Sequence, residues 1–197
     1  DGTAESDGTI FADFRNIAVY RGTNLGDSLV ALDATSSFTL DQEALYNSGE
    51  RSMIFTGVTE LVGADNNLTR FEIYGEQVFR LLGGEGDEAQ SVFVFADGAS
   101  LIGVIDGRDS ESTIDFSAWA EAREFLITGT GDGRGISGNS SAVPLGFHNI
   151  NLITGGSSEE DVLVGMDVRS TWELTGGGAV VYNGAEFELA SIEFLTG

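Results

Sequence analysis

Few residues in this chain could do chemistry, and their spacing limits what they could do. His148 is the only histidine, set between Phe147 and Asn149. A catalytic triad or a two-histidine metal site would need partners that the chain lacks. The acid pairs Asp106 with Asp115 and Asp109 with Glu111 could mimic the two carboxylates of a glycosidase, if the fold set them at a working separation. Trp119, Trp172 and Phe38 could stack on sugar rings. "GRGISG" at 133–138 matches GxGxxG, and "EFLIT" supplies a strand before it, but "NSSAVPLG" cannot open the helix a dinucleotide site requires. All nine basic residues are arginine, which excludes Schiff-base chemistry, a P-loop lysine and Lys–Asn crosslinks. No catalytic constellation is complete, so an enzyme is not expected. A β-helical polysaccharide-degrading enzyme is the lesser alternative.

Thirty-two acidic residues against nine basic ones set the formal charge at −23. Such a surface repels nucleic acid and anionic lipid and attracts cations, above all divalent ones. Like-charge repulsion costs stability, which salt or bound cations relieve. With no cysteine there is no disulfide, haem thioether or thiolate site. No stretch approaches the roughly 18 apolar residues of a membrane span, so membrane insertion is not expected. The chain opens on Asp1 and runs to "FLTG", which reads as processing or excision from something longer.

The elements that must position these residues are strands. Twenty-eight glycines against one proline, Pro144, indicate many tight turns. Short runs such as "SVFVFA", "FHNINLIT", "DVLVG" and "ASIEFL" are rich in Val, Ile and Phe and bounded by Gly, Asp, Asn or Ser. One pattern recurs: a bulky residue, apolar residues three and six positions on, and glycine eight on. It reads Phe14, Ile17, Tyr20, Gly22; Phe55, Val58, Leu61, Gly63; Phe147, Ile150, Ile153, Gly155; and Leu189, Ile192, Leu195, Gly197. A fifth copy, Gly75, Val78, Leu81, Gly83, lacks the leading bulky residue. "DSLVALDATSSFTL" (27–40) also aligns without gaps to "DVLVGMDVRSTWEL" (161–174), bringing Phe38 onto Trp172. A single repetitive β domain over 1–197 is therefore expected, with duplicated units near 14–63 and 147–197 and an insertion or loop at 129–146. The expected fold is all-β, a β-solenoid of about 20-residue coils whose apolar residues stack into one core. An antiparallel β-sandwich is the alternative, because steps three and six have opposite parity along a flat strand.

The glycine–acid junctions "GGEGDEAQSVFVF" (83–95), "GGSSEEDVLVG" (155–165) and "GTNLGDSLVALD" (22–33) resemble degenerate haemolysin-type glycine-aspartate repeats. With "FVFADG", "IDGRDSESTIDFS" and "FHNINLITGG", the chain is similar to giant repeat-rich bacterial surface proteins. The resemblance implies an extracellular structural or adhesive role; Asp27, Glu85, Asp87, Glu160 and Asp161 read first as turn residues and solvated charge, with no cofactor, and Ca²⁺ at one or more junctions, best at "GGEGDE", is the alternative. The junctions depart from it by standing alone, where a calcium roll uses tandem repeats. Expected partners are copies of the chain itself, as a homopolymer or filament, with surface glycans as the adhesin alternative.

Overall fold

The computed structural model describes residues 18–131 and 135–197, and the backbone of residues 9–10. Phe14 and Ile17 of the first motif copy lie outside the described residues, as do Gly133 and Arg134. The described residues form strands and turns and no helix.

Two large mixed sheets hold nearly all the strands. The first begins with β1 (Thr9–Ile10), β3 (Ser28–Val30), β7 (Glu60–Val62), β10 (Arg80–Leu82) and β13 (Ile105–Asp106). It continues through β17 (Val143–Ile150), β16 (Ile136–Ser140), β15 (Glu124–Thr130), β19 (Val162–Val164) and β23 (Phe194–Thr196). The second begins with β2 (Val19–Arg21), β6 (Arg51–Thr56), β5 (Ala44–Ser48), β4 (Ser36–Leu40) and β8 (Leu68–Ile73). Its remaining strands are β11 (Gln90–Phe95), β14 (Glu111–Asp115), β18 (Leu152–Thr154), β22 (Ala185–Ala190), β21 (Ala179–Tyr182) and β20 (Trp172–Gly176). A small parallel pair, β9 (Glu76–Gln77) with β12 (Ser100–Leu101), stands apart.

Successive strands of each sheet pair in parallel, and the register places like over like. In the first sheet Leu29, Leu61, Leu81, Ile105 and Phe147 are consecutive partners. In the second, Phe38, Phe71, Phe93, Ile114, Ile153 and Leu189 are consecutive partners. Both rows belong to one core between the sheets. The Phe38 and Phe71 rings lie 5.3 Å apart and 16° from parallel, and Phe71 and Phe93 lie 4.9 Å apart at 15°. Beside this column runs a buried hydroxyl row, Ser36, Thr69, Ser91 and Ser112, again register partners. Its hydroxyls are satisfied locally: Ser110 Oγ donates to Ser91 Oγ at 3.1 Å and lies 2.7 Å from Ser112 Oγ. Buried polar groups need such partners.

In-register stacking is hazardous for a chain of this acidity, because like charges directly opposite destabilise a sheet. The paired positions avoid the hazard. Glu72 sits between Thr39 and Val94, and Thr39 Oγ1 donates to it at 3.1 Å. Glu60 sits between Ser28 and Arg80, whose guanidinium is 2.7 Å away. Asp115 sits between Val94 and Thr154. Among the described residues no carboxylate is the register partner of another in either large sheet.

Three antiparallel meanders interrupt the parallel stacking: β4–β5–β6, β15–β16–β17 and β20–β21–β22. Each uses its last strand to meet the preceding rung: β6 on β2, β17 on β13, β22 on β18. The first strand of the first two meets the following rung: β4 on β8, β15 on β19. The segment 129–146, expected as an insertion or loop, is mostly strand and belongs to the second meander. The third meander turns through Asn183 and Gly184 at φ 49° and 87°, the left-handed pair that a tight hairpin requires.

The recurring motif marks a crossing between the sheets. Phe55 lies on β6 in the second sheet and Leu61 on β7 in the first; Phe147 lies on β17 in the first and Ile153 on β18 in the second. Positions zero and six are both inward because they belong to different sheets, and Val58 and Ile150 fill the corners between them. This resolves the parity conflict of a flat strand. Val78 departs from the pattern: it is 66% exposed, and its neighbour Phe79 packs against the core instead, edge-on to Phe55. Gly83 ends such a crossing where a Cβ would strike the Gly107 carbonyl oxygen, so the corner backbones stack without side chains between them.

Phe71 has an aromatic ring on each side and no exposed surface. Phe71→Ala is expected to lower unfolding free energy by about 3–5 kcal/mol, read as a shift of the urea midpoint. Glu72→Ala, on the outward face of the same strand, should cost less than about 1 kcal/mol. Equal losses would mean that the ring column does not hold the sheet.

Candidate functional site

The acidic turns are built before they can bind anything. Asp27, ahead of β3, takes hydrogen bonds on Oδ2 from the Thr23 amide at 2.5 Å and the Thr23 hydroxyl at 2.6 Å. These bonds, the hydroxyl foremost, hold its carboxyl below the ordinary range. Asp161, at the same place ahead of β19, is fully buried, with Oδ1 accepting from Arg123 N at 2.5 Å and Oδ2 from Gly156 N at 2.7 Å. The backbone repeats the correspondence. Asp27 O accepts from the amides of Thr59 and Glu60, and Asp161 O from those of Glu193 and Phe194. Both carboxylates are therefore turn staples, and they sit seven strand positions apart in the first sheet.

Glu85 and Asp87 are exposed on the turn after β10. Glu85 pairs with Arg108 at 2.9 Å, while its amide donates to Asp65. Glu160 is exposed, and its amide donates to Ser158 Oγ. Among the described residues no three of His, Asp and Glu converge closely enough to hold a metal ion. Asp106 lies on β13 and Asp115 on β14, in different sheets, so they form no working pair. Asp106 Oδ1 accepts from Arg108 N and Asn149 Nδ2. His148 points outward, with Nδ1 3.2 Å from Ser137 Oγ. Glu111, Glu186 and Glu188 do line one open groove of about 420 Å³, but no basic residue lines it with them. An acidic glycan would find nothing there to neutralise its charge.

The aromatic candidates are committed to packing. Phe38 is completely buried, and Trp119 lies under the Arg123 guanidinium, whose carbon is 3.3 Å from the ring centroid. Trp172 stacks at 4.3 Å on Tyr182, as Phe38 does at 4.8 Å on Tyr46. The match extends to hydroxyls: Leu32 N donates to Tyr46 Oη at 2.8 Å, and Met166 N donates to Tyr182 Oη at 2.7 Å. The aligned segments 27–40 and 161–174 thus make corresponding contacts.

One difference between the two halves stands out. Leu40, on β4, is 0% exposed beneath Ile73 of β8. Leu174, its counterpart on β20, is 68% exposed, since no strand pairs with the far edge of β20 among the described residues. Phe194 on the neighbouring sheet edge β23 is 51% exposed and Val168 60%. Leu126, Val164, Met166 and Val168 line an open groove of about 920 Å³. This apolar end surface is the site that residue-by-residue reasoning about catalysis missed. Its signal was the alignment of Leu174 with the core residue Leu40.

Asp33 shows how the turns are tied between rungs. Its carboxylate accepts from Asn67 Nδ2, Asn66 Nδ2 and Asn66 N, all at 3.0 Å, and these bonds lower its pKa from the ordinary 3.8. A depressed carboxyl stabilises the fold above its ordinary pKa, and the contribution vanishes as pH falls through the folded value. Asp33→Ala is therefore expected to lower Tm at pH 7 but hardly at about pH 2, well below the ordinary carboxylate range. An equal loss at both pH values would rule out the carboxylate bridge.

No protein-family model matches the chain, and no curated protein or solved structure matches it either.

Proposed function

We propose that this chain is a structural subunit or segment of an extracellular bacterial filament, tube or surface-layer appendage, its two sheets wound as a β-solenoid that associates head-to-tail and laterally. The observation that carries this reading is the contrast between Leu40 and Leu174: one apolar edge is covered inside the chain, and its counterpart is left open. Strands that stack in parallel from rung to rung offer further strands the same hydrogen-bonding edge. A contact between unlike ends repeats without closing and yields open filaments. The burial of Phe38 and Trp119 and the packing of Trp172 leave the adhesin alternative without its aromatic platform. The acid-only groove gives the enzyme alternative no basic group.

Calcium belongs to the same proposal and falls to the exposed carboxylates of Asp87 and Glu160, since Asp27 and Asp161 already accept from turn amides and Glu85 pairs with Arg108. A charge of −23 per copy opposes association. Raising NaCl from about 10 to 500 mM shortens the screening length from about 30 Å to a few Å. Light scattering and electron microscopy should then show elongated polymers forming at high salt and dispersing at low salt. A stable monomer at high protein concentration, in both high salt and millimolar calcium, would overturn the proposal.

A further inference from the structure

We infer that the open edge of β20 receives β2 of a second copy as its parallel neighbour, with Tyr20 over Trp172 and Arg21 beside Glu173. This inference rests on the structural reading above and names the contact that reading requires. The chain contains its own template for the joint. β4 opens the first meander as β20 opens the third, and β4 is covered by β8 in parallel register, Phe71 on Phe38. β15, which opens the second meander, is covered in parallel by β19. The first strand of a meander therefore meets a forward parallel strand in both places where the fold shows its outer edge paired.

β2 has the geometry and chemistry for that place. It is the edge strand at the opposite end of the same sheet. Its inner side pairs in parallel with β6, Tyr20 opposite the buried Phe55, so Tyr20 faces the core and Val19 and Arg21 face outward. On β20, Trp172 pairs with the buried Tyr182 and faces the core, while Glu173 faces outward and is exposed. Tyr20 over Trp172 adds a third ring to the Trp172–Tyr182 pair, and the same register sets Arg21 against Glu173, an opposite-charge pair like Glu60 with Arg80. Leu174 then lies over Gly22, whose backbone packs directly on the Gly57 carbonyl of its own copy. β23 and β1, the two outer strands of the other sheet, come to the same joint from either side.

The absence of cysteine makes the register directly testable. Parallel neighbours hold their Cα atoms about 4.8 Å apart, within the span a disulfide bridges. R21C and E173C chains mixed at high salt and mildly oxidised should give a covalent heterodimer, and neither variant alone should. The exposed substitution L174K should cut that yield roughly tenfold or more, because the joint would bury an unpaired ammonium. R21E should cut salt-driven scattering of the otherwise wild-type chain, and R21E combined with E173R should restore it. Polymers of the mixed R21C and E173C chains that form without the intermolecular disulfide, or R21E assembly equal to wild type, would overturn this joint and leave the structural role standing. Wild-type chain that never associates would overturn both.

Discussion

The parallel backbone ladder is the constraint on which the rest of this structure depends. When each strand pairs in register with the next, a side chain has its counterpart about 4.8 Å above and below it. Every inward position must then be tolerable as a column. Flat rings satisfy this by stacking, which is why Phe38, Phe71 and Phe93 succeed one another with nearly parallel planes. Hydroxyls satisfy it by bonding to one another, as along Ser91, Ser110 and Ser112. Corners satisfy it with glycine, because the Gly83 and Gly107 backbones approach too closely for a Cβ. Carboxylates cannot satisfy it, and the strands separate them with Thr, Val or Arg partners while the turns take most of the acid.

The meanders follow from a second requirement, that two sheets enclosing one core stay level with each other. Each meander adds two strands to one sheet and none to the other. They occur in the second sheet, then the first, then the second again, and the sheets end at eleven and ten strands. The meanders also recycle one local design. Tyr46 and Tyr182 each cross-link a meander to the corner before it through a hydroxyl that accepts a backbone amide.

Acidity and edge exposure together shape the surface. A charge of −23 surrounds the chain with a long-range repulsive field, and among its exposed apolar residues Leu174 and Phe194 lie on the edge strands β20 and β23. Long-range repulsion is screened by salt, whereas apolar burial is not.

The sequence by itself determined the strand class, the corner glycines and the apolar rows, because each rests on local spacing and residue type. Even its parity conflict was informative: Phe55 and Leu61 could both face inward only if they stood on different sheets. What it could not determine was which rung lies beside which. Residues 129–146 read as an insertion or loop because glycine and serine obscure strand propensity; Ile136–Ser140 is held as a strand by neighbours on both sides. Asp27 and Asp161 read from type and spacing as turn residues, but which amides they hold, Thr23 for one and Arg123 and Gly156 for the other, is set by the tertiary structure. Tertiary structure alone decided that Leu40 is covered and Leu174 is not. The two residues are the same in type and follow similar residues; among the described residues Leu40 has β8 beside it and no strand pairs with the outer edge of β20 at Leu174.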